Sequence, residues 1–239
     1  MPGPERLPYR GSPGAVRVGA MQLTKFTHSC VRLEEDGHVL VIDPGNFSEV
    51  EQALDGASTV LVTHEHADHL DRDRVLGLLA GTDGMNLYAP ASVAAELRAL
   101  APEAAARIHA AEPETEFEVP GFRVRTFGGQ HALIHPHIPV VANIGYVIND
   151  NLYHPGDSFI VPHGLMVKNV LVPIHAPWSK TAEVIDFVTA MRAEHAYPIH
   201  DAGLSDRGLP LVEKHVTLFG GHYGTSYQHL SPGESVELA

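Results

Sequence analysis

Seven consecutive residues, Thr63-His64-Glu65-His66-Ala67-Asp68-His69, set three imidazoles and a carboxylate in the pattern HxHxDH. Imidazole and carboxylate are the ligand types of zinc, manganese and iron sites, and two clustered groups of them suit two cations a few ångströms apart. The chain holds 17 histidines, more than its 16 Lys+Arg, so a chance match has to be weighed. A random match is expected only about 0.004 times in a chain of this composition. Solvated loop histidines are therefore the weaker reading.

Residues two apart face the same way on an extended segment and not on a helix. His64 and His66 thus project together if they sit at a strand end, and the β-branched run STVLVTH, Ser58 to His64, supplies that strand. Asp68 and His69 then fall in the turn before a helix that begins near Leu70, with Leu70, Val75, Leu78 and Leu79 at helical intervals.

The elements around this motif are legible in outline. Residues 1–20 read as a flexible arm, because Pro2, Pro4, Pro8 and Pro13 interrupt any helix or strand ladder. From Met21 to Gly45 the pattern predicts a hairpin of two runs joined at Glu34 to Gly37. NLYAP reads as a strand and ASVAAELRAL as a helix; ETEFEVPGFRVRTFGGQH, NIGYVIND, NLYHPGD and GLMVKNVLVPIHA read as strands, with a hairpin across Asn149 to Asn151. TAEVIDFVTAMRAE is a helix with Val184, Phe187, Val188 and Met191 on one face. No linker interrupts 21–239, so a single domain is expected there, α/β (α+β) in class, with packed sheets and helices outside.

Composition narrows function. A net charge of −13 without a Lys/Arg cluster disfavours nucleic acid as a partner, nucleases included. No apolar run reaches the roughly 18 residues of a membrane span, the first residues lack the apolar core of a secretory signal, and the single cysteine, Cys30, forms no internal disulfide. A cytoplasmic protein acting on a small molecule is expected, its oligomeric state left open.

The THEHADH run resembles the metallo-β-lactamase superfamily of metal-dependent hydrolases, and three further motifs match in order: FGGQH ending at His131, HPGDS containing Asp157, and YPIH ending at His200. The resemblance implies an αββα sandwich of two mixed β-sheets flanked by helices. It implies two divalent metal ions, zinc first with manganese or iron as alternatives, one held by His64, His66, His131 and Asp157 and the other by Asp68, His69, Asp157 and His200. Asp43 in VIDPG matches the family's buried aspartate that supports ligands from behind. THSC, Thr27 to Cys30, is similar to the GHS motif of the branch containing ascorbate-6-phosphate lactonase-like hydrolases, with Thr27 in place of the leading glycine. The implied reaction is attack by a hydroxide bridging the two metals on an ester, lactone or phosphoester of a small metabolite that can be anionic, with Asp68 orienting the nucleophile.

Other histidines compete or contribute. His135 and His137 follow His131 closely, and position after the strand and double glycine favours His131; the other two are solvated loop residues or rim groups touching substrate. His222 in FGGHY competes with His200, and family order favours His200. His28 either lines the site opposite the metals as a catalytic group or is a satisfied core histidine. His175, Trp178 and Lys180 in PIHAPWSK lie in a strand-to-helix loop of the kind that forms pocket rims, where Lys180 would attract an anionic group. An iron-dependent redox enzyme, of the persulfide dioxygenase or oxygen-reducing type, and a catalytically silent metal-binding module are the alternatives. The complete second ligand set argues against both the single-iron version and decay.

Overall fold

A computed structural model of the chain describes residues 20–238. The arm read over residues 1–20 lies outside them, Ala20 excepted.

Strands β1 (Met21–Lys25), β2 (Val31–Glu35) and β3 (His38–Ile42) form an antiparallel meander. The sequence pattern predicts two strands here, and the structure has three. Thr27–Ser29 turn the chain between β1 and β2, with His28 in the left-handed region at φ 69 and the turn closed by the Phe26 N–H donating to the Cys30 carbonyl at 2.9 Å. A positive φ at a non-glycine residue is not readable from residue type, which is why one apolar-looking run concealed two strands.

From β3 the sheet continues in parallel through β4 (Thr59–Leu61), β5 (Asn86–Pro90) and β6 (Ile108–Ala111). Its crossovers are α1 (Val50–Ala53), α2 (Arg72–Gly81) and α3 (Ala91–Leu100). Strand β4 stops at Leu61, three residues before the expected His64. Helix α2 begins where Asp71 accepts the Arg74 N–H at 3.2 Å, an N-cap two residues after the motif.

The second half repeats the plan. Strands β7 (Glu116–Val119), β8 (Phe122–Gly128), β9 (Ile144–Ile148) and β10 (Leu152–His154) run antiparallel. Strands β11 (Asn169–Pro173), β12 (His195–Ile199) and β13 (Ser226–Tyr227) follow in parallel, with α4 (Thr181–Met191) and α5 (Leu209–Gly221) packed outside. A last strand, β14 (Ser235–Leu238), returns to the first sheet with Leu238 opposite Met21. The result is two seven-stranded mixed sheets flanked by helices, the αββα architecture.

Alternation along the strands builds three apolar layers. Leu40 and Ile42 of β3, Leu61 of β4, Tyr146 of β9, Leu171 of β11 and Ile199 of β12 meet between the sheets. Their neighbours Val39, Val41 and Val60 face α1–α3, and Val170, Val172 and Ala196 face α4 and α5. Strands covered on both faces read as continuous apolar runs, as β4 and β11 do. The histidine- and aspartate-bearing loops all follow C-terminal strand ends, those of β1, β3, β4, β8, β10, β11 and β12, so a single edge of the sandwich gathers them.

Candidate metal centre

Asp43 follows β3 directly, fully buried and at φ 53. Its Oδ1 accepts the Thr63 N–H, and its Oδ2 accepts both the Thr63 hydroxyl and the His69 Nδ1–H, each at 2.7 Å. The end of β4 and the far end of the HxHxDH loop are thereby clamped to one carboxylate. Two glycines permit the close packing this needs. A Cβ on Gly45 would lie 1.8 Å from the Asp68 carbonyl oxygen, and one on Gly156 would lie 2.3 Å from Oδ1 of Asn143.

Four histidines are oriented alike. Nδ1 of His64 lies 2.9 Å from the Thr63 hydroxyl, that of His69 bonds Asp43, that of His131 bonds its neighbour's carbonyl at Ala132 (2.6 Å), and that of His200 bonds the His175 carbonyl (2.6 Å). Fixing Nδ1–H on an oxygen leaves Nε2 as the free lone pair, the tautomer a metal ligand requires. These Nε2 atoms converge on Asp157. Its Oδ1 is 3.0 Å from His69, and its Oδ2 is 3.1 Å from His200, 3.2 Å from His131 and 3.8 Å from His64.

Whether these residues fit divalent cations is tested by what they fail to bond. Nε2 of His69, Nε2 of His131 and Oδ1 of Asp157 are buried without a hydrogen-bond partner, although His69 and Asp157 atoms approach to 3.0 Å. Orphaned buried polar atoms are costly unless something else satisfies them. Two groups of ligand atoms, His64–His66–His131–Asp157 and His28–Asp68–His69–His200, each lie within 4.8 Å of one another. Asp157 reaches into both, so the donor set fits two cations sharing one carboxylate.

Electrostatics agree. Burial would raise the Asp157 carboxyl, but His69, pushed well up by Asp157 and Asp43 against its own burial, and the approach of His131 and His200 hold it well below the usual carboxylate range; the positive charge that settles Asp157 is the kind a cation would supply. Burial pushes His64 well down, and the surrounding histidines add to this. At Asp68 burial is again opposed, by the bond from His28 and the charge of His69, and its pKa falls to about 2.

His28, expected either to line the site or to sit in the core, does both. It is buried, its Nε2 lies 3.2 Å from Oδ2 of Asp68, and its ring lies 4.1 Å from that of His200. Trp178 is placed by the loop after β11 with its indole N–H donating to Oδ2 of Asp157 at 2.9 Å. His175 is exposed and borders, with Phe47, Ala176, Pro177 and Gly203, a cavity of about 410 Å³ whose floor is His28, Asp68 and His200. Lys180 stands elsewhere, in a neighbouring cavity beyond Pro177 and Trp178, with its side chain 82% exposed and 3.8 Å from Glu183. His135 and His137 are exposed and packed on each other at 5.0 Å, outside both cavities. His222 caps α5, exposed against Phe219.

Several supporting residues carry no signal in the sequence. Asn143 is fully buried, donates to the Pro155 carbonyl and accepts the Asp157 N–H, holding the HPGD turn. His154, in the same run as Asp157, is fully buried and bonds the Ser29 carbonyl at 3.0 Å. Lys25, 1% exposed, pairs with Asp201 beside the candidate ligand His200. Each needs a partner more than a hundred positions away or across a loop, which periodicity does not reveal.

The family described as Beta-lactamase superfamily domain matches residues 22–200. Protein Rv0786c of Mycobacterium tuberculosis is 40% identical over 187 residues, 76% of this chain and 84% of that protein. Among solved structures, the metallo hydrolase Igni18 of Ignicoccus hospitalis superposes with a TM-score of 0.70 at 19% identity, covering 92% of this chain and 99% of that one. CmlA, a diiron β-hydroxylase of Streptomyces venezuelae, superposes with a TM-score of 0.64 at 16% identity, covering 92% of this chain and 54% of that one. The two sheets, the edge that gathers the histidines and aspartates, and a match running from β1 to His200 agree: the chain belongs to the beta-lactamase superfamily domain family.

Proposed function

We propose that this protein is a metal-dependent hydrolase of a small molecule, with a dinuclear centre for which zinc is the first choice and manganese or iron the alternatives. The observation that carries the reading is Asp157, whose two carboxylate oxygens lie between 3.0 and 3.2 Å from nitrogens of both ligand groups. His64, His66, His131 and Asp157 would hold one cation; Asp68, His69, His200 and Asp157 would hold the other, with His28 beside them. When bound, such cations supply a water of lowered pKa and polarise the oxygen of the scissile group.

The chain's own residues do the rest. Asp68 is kept ionised at the cavity floor, its side chain 27% exposed, so its carboxylate can orient the attacking water by accepting a hydrogen bond from it. His28, depressed by burial, stays neutral and holds that oxygen through Nε2. Asp43 fixes His69, and Trp178 fixes Asp157. No Ser or Lys nucleophile is needed, and Cys30 is buried.

The test is elemental analysis of purified protein joined to hydrolysis assays. About two ions per chain are expected, lost together with hydrolysis in His66→Ala and Asp157→Ala. One ion or none, with hydrolysis indifferent to both changes, overturns the reading. Two irons with oxygen consumption and no hydrolysis would favour the redox chemistry that the name of CmlA records on this fold.

A further inference from the structure

The cavity over His28, Asp68 and His200 has a composition that selects among hydrolysable substrates. Its walls are His175, Phe47, Ala176, Pro177 and Gly203, and among the described residues no lysine or arginine lines it. Phe47 is 53% exposed, an uncommon place for a large aromatic ring, and stands edge-on to His28 at 5.2 Å. Two lysines near this space are committed elsewhere. Lys25 is buried against Asp201, and Lys180 lies in the neighbouring cavity with Glu183.

A phosphoryl group carries oxygens beyond those that two cations would engage, and sites built for it commonly add arginine forks or lysines. Beyond His175 the walls offer such oxygens only Phe47, Ala176, Pro177 and Gly203, where burying charge without a partner is costly. A neutral carboxylic ester presents one oxygen for polarisation, and its apolar arm gains by leaving water.

Resting on the hydrolytic reading above, the geometry points to Phe47, with Ala176 and Pro177, as a platform that binds an uncharged apolar arm of the substrate and selects neutral carboxylic esters over phosphoesters. In the reaction water adds to the carbonyl carbon and the carbon–oxygen bond to the alkoxy group breaks. The alkoxy oxygen leaves as the alcohol with one proton of water, and the carboxylic acid formed releases its proton to solvent.

The experiment compares p-nitrophenyl acetate, butyrate and hexanoate with p-nitrophenyl phosphate and bis(p-nitrophenyl) phosphate on metal-loaded full-length protein, wild type and Phe47→Ala. In parallel, quenching of Trp178, the single tryptophan, reports binding of acetate, butyrate, hexanoate and phosphate without turnover. In the wild type, kcat/KM and carboxylate affinity rise with chain length, by up to about fourfold per methylene. In Phe47→Ala the rise falls to about twofold over the whole series, and both phosphoesters trail the esters in the wild type. Phosphoesters turned over faster than esters, or chain-length independence in the wild type, overturn the platform and leave hydrolysis standing. If no ester or phosphoester is turned over, the hydrolytic reading falls and the quenching series decides the platform alone. There, dependence on chain length lost in Phe47→Ala supports it, and independence overturns it.

Discussion

The indole N–H of Trp178 donates to Oδ2 of Asp157 at 2.9 Å, joining the loop after β11 to the carboxylate that spans both ligand groups. A bond to a ligand carboxylate orients it, and losing such support typically weakens metal binding 10- to 100-fold. Trp178→Phe keeps most of the ring that packs on Phe159 at 5.1 Å and removes the donor. Metal affinity, measured by competition with a chromophoric chelator, should fall by about 10- to 100-fold. The melting temperature of the metal-free protein should drop by only a few degrees, about what one hydrogen bond to a charged group contributes. An unchanged affinity would show that the indole is merely a neighbour.

Asp43 offers the opposite case, where fold and site depend on one group. Its two oxygens satisfy three donors, the Thr63 N–H, the Thr63 hydroxyl and His69 Nδ1, and it is fully buried. Asp43→Ala strands all three and should cost about 3–5 kcal/mol, as removing one partner of a buried charged network does. Chemical denaturation of metal-free protein measures this. A loss below about 1 kcal/mol, smaller than a single buried hydrogen-bond defect, would contradict the clamp.

How far the site was legible depended on whether a residue's job is local. His64, His66, Asp68 and His69 sit in one loop, so their spacing alone marks them as candidates, and strand β5 and helix α3 fall on the residues their patterns predict. The turn at His28 did not show, because left-handed backbone at a histidine leaves no mark in residue type. Helix α5 and strands β6 and β14 were also missed. Strand β14 is four residues with alternating exposure, made a strand by pairing with β1 more than two hundred positions earlier. Lys180 reads as a cation for the site because it lies in the strand-to-helix loop PIHAPWSK; in the structure Pro177 borders two cavities, and Lys180 falls in the other one.

Cys30 yields a prediction about reactivity. Burial is the largest influence on its thiol, with the charges of Asp43 and Glu49 adding to it against a bond from Ser48, and its pKa rises to about 12. A raised thiol pKa leaves almost no thiolate, the reactive form, at neutral or mildly alkaline pH. At pH 8 native protein should resist a disulfide exchange reagent for hours and react with one equivalent once denaturant unfolds it. Prompt reaction of native protein would mean that the region between β1 and β2 opens readily.

Lys25 and Asp201 connect the two halves of the molecule next to His200, a proposed ligand. Nζ of Lys25, on β1, lies 3.1 and 3.0 Å from the two carboxylate oxygens of Asp201 and also donates to the Phe26 carbonyl at 3.1 Å. Asp201 follows His200, itself held at φ 57 with its N–H donating to the His28 carbonyl at 3.2 Å. Asp201→Ala leaves an ammonium 1% exposed without its counter-charge and should cost about 3–5 kcal/mol, whereas replacing both members by apolar residues of similar volume often recovers the loss. Lys25→Met with Asp201→Leu should therefore restore most of the stability of metal-free protein. It should not restore the pin on His200, so binding of the second cation stays weak and stoichiometry at limiting metal falls toward one. Stability and stoichiometry recovered together would make the pair a structural tie; stability recovered alone makes it a positioning device for the His200 ligand.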